Sequence, residues 1–156
     1  MQAVQDGGDV EARSQVAMGS LLGGFCLGPV NTAAVHALSY PLGSSFHLPH
    51  GLSNALLLPY VMEFNIPAAT HRYADVAVAL GCTREKDTMV TALKGVDKVR
   101  SLIRECGIPA TLKELGIPLD VIPEMAAAAM KITRLLNNNP RPMGLDDAVA
   151  IYKAAY

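Results

Sequence analysis

His36, His47 and His50 fall within HALSYPLGSSFHLPHG, residues 36–51, and are three of the four histidines in the chain. Neutral imidazole is the commonest side chain in first-row metal sites, and such a site needs several donors converging from different segments. His36 and His50 stand on either side of Pro41-Leu42-Gly43. That break can fold two adjacent helices so that both rings point into one cleft. His47 and His50 have the i, i+3 spacing of a helical pair, yet Pro49 suits the first turn of a helix and would leave His47 outside it. A hydrogen-bonded core or turn histidine is the other reading at each position. His71, beside Arg72, is expected at the surface with no role.

Positioning such rings requires rigid elements, and almost every periodic signal is helical. Asp9 followed by Glu11 reads as an N-cap with an acidic first turn, leading into an apolar stretch through Val16, Leu21 and Leu22. Gly19, Gly23, Gly24 and Gly28 follow no strand and fit no phosphate-loop pattern. They read as small residues that let a neighbouring helix come close. A second helix is expected from Thr32 to about Ser39, ended or kinked by PLG at 41–43. A third starts at Pro49, and a fourth runs from Pro67 to a stop at Gly81. Between Glu85 and Cys106, Met89, Leu93, Val96, Val99 and Ile103 recur at intervals of three and four, the mark of an amphipathic helix. An Ala-rich helix from Ile122 to about Leu136, a loop at NNNPRP and a last helix AVAIYKAAY complete the chain. The expected fold is all-α, about seven helices over residues 1–156 as a single domain.

A chain of 156 residues with 51% apolar and 17% charged side chains can bury a real core. A net charge of −1 without a basic block argues against nucleic acid and charged membrane surfaces as partners. No apolar run is long enough to span a bilayer, which takes about 20 residues. Cys26, Cys82 and Cys106 are far apart and form no CxxC pair, so they are expected as buried or half-buried thiols in a reducing, cytoplasmic setting.

The string VHALSYPLGSSFHLPHGLSNALLLPYVMEFN resembles the signature of the iron-containing (group III) alcohol dehydrogenases. Their pattern runs HA-x-x-H-x-L-G, then PHG-x-x-NA, then LP-x-V and FN. EARSQVAMGSLLGGFCLG is similar to the helix before that signature, and TRLLNNNPRPMGLDDAVAIYKAAY to the family's C-terminal end. The resemblance therefore covers essentially the whole chain. It implies the all-helical, metal-carrying half of a two-domain, dehydroquinate synthase-like enzyme. In that family the metal, usually Fe²⁺ and sometimes Zn²⁺, is held by an aspartate and three histidines, two of which match His36 and His50. The other two ligands come from a D-x-x-x-H turn upstream, and no Asp here has a His four residues later. The α/β nucleotide-binding half, with its site for NAD(P), has no counterpart in this sequence either, so no cofactor-binding residue is assigned. Met1 falls where a full-length member would simply continue, which favours truncation.

The resemblance also carries a departure. The family commonly has a histidine one turn after the first metal ligand, a candidate proton relay, and here that position is Tyr40. Tyrosine, with an ordinary pKa of about 10, is a poor general base near neutrality. Either the proton is relayed differently or substrate scope is altered, or Tyr40 only lines the cleft. Phe46 and His47 are candidates for shaping a substrate cleft. Asn54 is a candidate for orienting a ligand or, equally, for bonding helix backbone. Asn139-Pro140-Arg141 resembles the family's loop near the active-site mouth, with a structural turn as the plainer reading. The expected function is the C-terminal metal-binding portion of an iron-dependent, NAD(P)-linked alcohol dehydrogenase, inactive alone, acting on an alcohol or aldehyde. The alternatives are a stand-alone helical interaction or metal-binding module, or half of a split dehydrogenase. Its partners would be the missing N-terminal half or a second copy.

Overall fold

The computed structural model describes residues 1–156 and contains eight α-helices, one 3-10 turn and no strand. The chain divides into two units, Met1–Thr32 and Ala33–Tyr156.

The first unit holds α1 (Gln2–Gln5) and α2 (Val10–Leu27). The Asp9 carboxylate accepts the Ala12 N–H at 2.9 Å, the N-cap its position suggested. No residue of α2 is buried, although it carries Val16, Leu21, Leu22 and Phe25. A side chain added at Gly19, Gly23, Gly24 or Gly28 would meet nothing within 4 Å. The close helix approach expected at these glycines is not found.

The second unit holds α3 (Ala34–Phe46), α4 (His50–Ala79), α5 (Thr88–Glu105), the 3-10 turn Leu119–Val121, α6 (Ile122–Met130), α7 (Thr133–Leu136) and α8 (Leu145–Ala154). On α3, Ala34, Ala37, Leu38, Pro41 and Leu42 are buried. Their i, i+3, i+4, i+7, i+8 spacing forms one stripe facing the core. This stripe meets Leu56, Leu57 and Val61 of α4, Met125, Ala126 and Ala129 of α6, and Ala148, Ile151 and Tyr152 of α8. A fully buried leucine contributes about 1.5–3 kcal/mol, so this layer fixes where α3 and α4 sit. A second cluster, Met62, Ile66, Ala74, Ala92 and Val96, joins α4 to α5. The two helices approach so closely that a Cβ on Gly95 would lie 2.8 Å from the Ala77 Cβ.

Several expectations about element ends change. The second helix does not stop at PLG: α3 passes through Pro41 to Phe46. Proline cannot donate to the Ala37 carbonyl, and a contact from far along the chain holds the same stretch. The buried Tyr152 hydroxyl, on α8, donates to the Leu38 carbonyl. The third and fourth helices form one helix, α4, interrupted by non-helical backbone at Ala69, two residues after Pro67. It ends at Ala79, and Gly81 just beyond takes the positive φ of +89° that suits glycine. On α5 the buried positions are Thr91, Ala92, Gly95 and Val96, whereas Met89 and Leu93 are exposed. The Ala-rich helix breaks after Met130 and resumes as α7. Cys26 and Cys106 are exposed and only Cys82 is half-buried, against the expectation of enclosed thiols. No helix is long and apolar enough to cross a membrane.

Tyr152→Phe removes the bond between α8 and the middle of α3. It is expected to cost about 1–2 kcal/mol and to lower the midpoint of thermal unfolding by roughly 2–6 °C. Circular dichroism melts of the two proteins measure this, and equal midpoints would show that the bond does not hold α3.

Candidate functional site

Two histidines fourteen positions apart in sequence meet because of how α3 gives way to α4. His47, with φ 55° and ψ 26°, adopts the left-handed conformation that reverses the chain. Histidine is among the non-glycine residues enriched there. The N–H of His47 bonds to the Gly43 carbonyl at 3.1 Å and that of Leu48 to the Leu42 carbonyl at 3.2 Å. The second bond spans six residues and closes the end of α3 around the left-handed His47 as a helix cap. Pro49, extended at φ −56° and ψ 136°, then starts α4 with His50 as its first residue. His50 consequently lies over α3 rather than beyond its end.

The His36 and His50 rings have centroids 5.1 Å apart and are tilted by 54°. Tyr40 stands one turn after His36 and on the same face. Its ring centroid is 6.2 Å from that of His50. His36 is half-buried. Loss of solvent, and secondly the neighbouring His50, hold its imidazole below the ordinary pKa of 6.5 and so keep it neutral near pH 7. A neutral ring keeps the lone pair that a metal requires. Asn54, one turn into α4, donates from Nδ2 to the His50 carbonyl at 2.8 Å. The same nitrogen lies 3.2 Å from Nδ1 and 3.1 Å from Nε2 of His50. Its Oδ1 is buried and has no partner.

In donor chemistry the pair fits a divalent first-row metal, as two imidazoles of a larger set. No group of three or more His, Cys, Asp or Glu side chains converges anywhere in the chain. A structural site normally has four ligands and a catalytic one three with an open position. The two imidazoles would supply two donors of such a set, and no third His, Cys, Asp or Glu side chain converges with them.

The remaining candidates make other contacts. Phe46 packs on the main core. With Pro41, Ser45, Val121, Glu124, Met125 and Ala128 it also lines a cavity of about 100 Å³. His47 is exposed and serves the turn, and His71 is exposed in the second half of α4. Asn139 and Asn65 exchange amide hydrogen bonds of 2.9 and 2.7 Å. Arg141 stacks on the Phe64 ring at 4.1 Å and donates to the Phe64 carbonyl at 3.0 Å. Asn65 is fifteen residues beyond His50, roughly 22 Å along the helix, so this loop acts as a structural turn remote from the pair. Sequence reasoning missed Leu48, whose contribution is a backbone N–H and leaves no side-chain signal.

Residues 1–156 match the family model described as "Fe-containing alcohol dehydrogenase family, C-terminal". Long-chain-alcohol dehydrogenase 1 of Geobacillus thermodenitrificans (strain NG80-2) is 40% identical over 156 residues, 99% of this chain and 40% of that protein. Lactaldehyde reductase of Escherichia coli (strain K12) is 34% identical over 150 residues, 96% of this chain and 39% of that protein. Among solved structures, a 1,3-propanediol oxidoreductase superposes with a TM-score of 0.96 at 34% identity, covering 99% of this chain and 41% of its own. An alcohol dehydrogenase from Oenococcus oeni gives a TM-score of 0.95 at 31% identity, with coverage of 99% and 40%. The chain thus spans about 40% of the length of these relatives.

Because the folded pKa of His36 is lowered, the unfolded chain takes up this proton first as pH falls. Stability supplied by His36 is therefore lost below about pH 6.5 and rises with pH through that window. In the metal-free chain, NMR titration is expected to give His36 a midpoint below 6.5, and His50→Ala to move it upward only in part. A midpoint at or above 6.5 would mean that the His36 ring is solvated.

Proposed function

The chain belongs to the Fe-containing alcohol dehydrogenase family, as its C-terminal part, and on that premise we propose that it is the metal-holding portion of an NAD(P)-linked alcohol dehydrogenase. The observation that carries the reading is the 5.1 Å approach of His36 and His50, at the positions where the family's signature has metal ligands. These two would hold Fe²⁺, or Zn²⁺, as two of its ligands. Bound there, a divalent metal supplies Lewis acidity toward an alcohol or aldehyde oxygen.

The chain's own residues contribute position and environment. The reversal at His47 and Leu48 sets the distance between the rings. Partial burial keeps His36 neutral, and the Asn54 side chain lies against His50. Tyr40 faces the same space and can donate or accept a hydrogen bond there. Phe46 and His47 bear on the substrate through the path of the chain between the two rings.

Hydride transfer needs a nicotinamide held within reacting distance. This chain has neither the nucleotide-binding fold nor the remaining ligands, so alone it does not turn over alcohol. In the family enzyme those parts belong to its other portion, and the setting we propose is cytoplasmic.

A chimera tests this. The preceding portion of the 40%-identical long-chain-alcohol dehydrogenase is joined to this chain in place of its own matching part, and NAD(P)-linked oxidation of primary alcohols is followed. Activity is expected in the chimera, none in this chain alone, and a loss of at least 100-fold in His36→Ala and His50→Ala chimeras. Turnover by the chain alone, or full activity in a folded His50→Ala chimera, would refute the assignment.

A further inference from the structure

From residue 14 to residue 62 the chain carries no Asp, Glu, Lys or Arg, and Glu63 is the first charged side chain after Arg13. His36, Tyr40 and His50 all lie inside this stretch. Thus α3, the turn after it and the first part of α4 offer the pair of rings no carboxylate. The pair is open to a donor from outside the chain: His50 and Tyr40 are exposed, and His36 is half-buried.

The separation of the rings selects a geometry. Two imidazoles on one metal, with bonds of about 2.0–2.1 Å, have centroids roughly 5.2 Å apart at a tetrahedral angle and roughly 4.5 Å apart at a right angle. The observed 5.1 Å matches the tetrahedral case, which is the geometry of a closed Zn²⁺ site with four ligands. One chain holds half of such a set. A second copy of the same chain holds the other half, and a two-fold axis through the ion makes the two pairs equivalent. Like charges facing each other across that axis would oppose the approach, and this stretch presents none. The exposed Tyr40 ring, 6.2 Å from that of His50, adds an aromatic surface of the kind that protein contacts favour.

We propose that Zn²⁺ is bound between two copies of this chain, with His36 and His50 of each copy as its four ligands. The proposal rests on the reading of His36 and His50 as metal ligands. It adds a stoichiometry of one ion per two chains while the chain is in excess. When one ion is available per chain, each pair takes its own and the bridge opens by mass action.

The 156-residue chain is titrated with Zn²⁺ alone, its mass is followed by analytical ultracentrifugation, and bound zinc is measured per chain. The mass is expected to double from 16.5 kDa at half an equivalent, to return on adding EDTA, and to fall again as Zn²⁺ reaches and passes one equivalent. Co²⁺ at half an equivalent should give the strong visible absorption of tetrahedral coordination, a readout that needs no variant. His36→Ala and His50→Ala, each checked for folding by circular dichroism, should show no doubling at half an equivalent.

A mass unchanged at half an equivalent, with one ion bound per chain at saturation and lost in both histidine variants, overturns the bridge while leaving the two histidines as ligands. Zn²⁺ binding or a doubled mass that survives both His36→Ala and His50→Ala, or no binding at all, removes the ligand reading and the bridge with it. Stoichiometry and the histidine variants together tell the two failures apart.

Discussion

A single backbone hydrogen bond, from the Leu48 N–H to the Leu42 carbonyl, sets the geometry on which the site depends. Without it the chain would leave α3 at Phe46 and start α4 beyond the helix end, putting His50 far from His36. With the cap formed, the chain turns at His47, Pro49 opens α4, and the two rings lie 5.1 Å apart. The left-handed residue needed for the reversal is His47, so one of the three clustered histidines is spent on the turn that brings the other two together. Both helices must then be held rigidly for that distance to mean anything. The core layer of α3, α4, α6 and α8 does this, with Tyr152 bonded across it to Leu38.

The local features of the fold were legible because their causes are local. Asp9 is an N-cap because a carboxylate before a helix satisfies an otherwise idle N–H. α4 stops just before Gly81 because glycine takes the positive φ there. His36 and Tyr40 share a face because they are four residues apart on one helix. His36 and His50 were marked by their motif, although periodicity said nothing about their distance.

The parts that were not legible depend on residues distant in sequence. Pro41 looked like a helix end, yet α3 continues through it beside the Tyr152 hydroxyl, 114 residues away. Asn139 was read more plainly as part of a structural turn, and what holds that turn, the amide pair with Asn65, lies 74 residues away. Met89 and Leu93 fit an apolar stripe, but α5 meets α4 through Gly95 against Ala77, and that close crossing turns the stripe partly outward.

Two imidazoles without further donors would make an incomplete site. Affinity for a divalent metal falls steeply as ligands are removed, and a Lewis acid with most of its shell open is neither held nor aimed. The central claim is that this chain contributes two histidine ligands, no more and no fewer. Pulsed electron paramagnetic resonance of the chain loaded with one equivalent of Cu²⁺, which binds nitrogen donors strongly, counts them directly. The expected spectrum shows two coordinated imidazoles, falling to one in either His36→Ala or His50→Ala. A single imidazole in the unaltered chain, or three, would contradict the account.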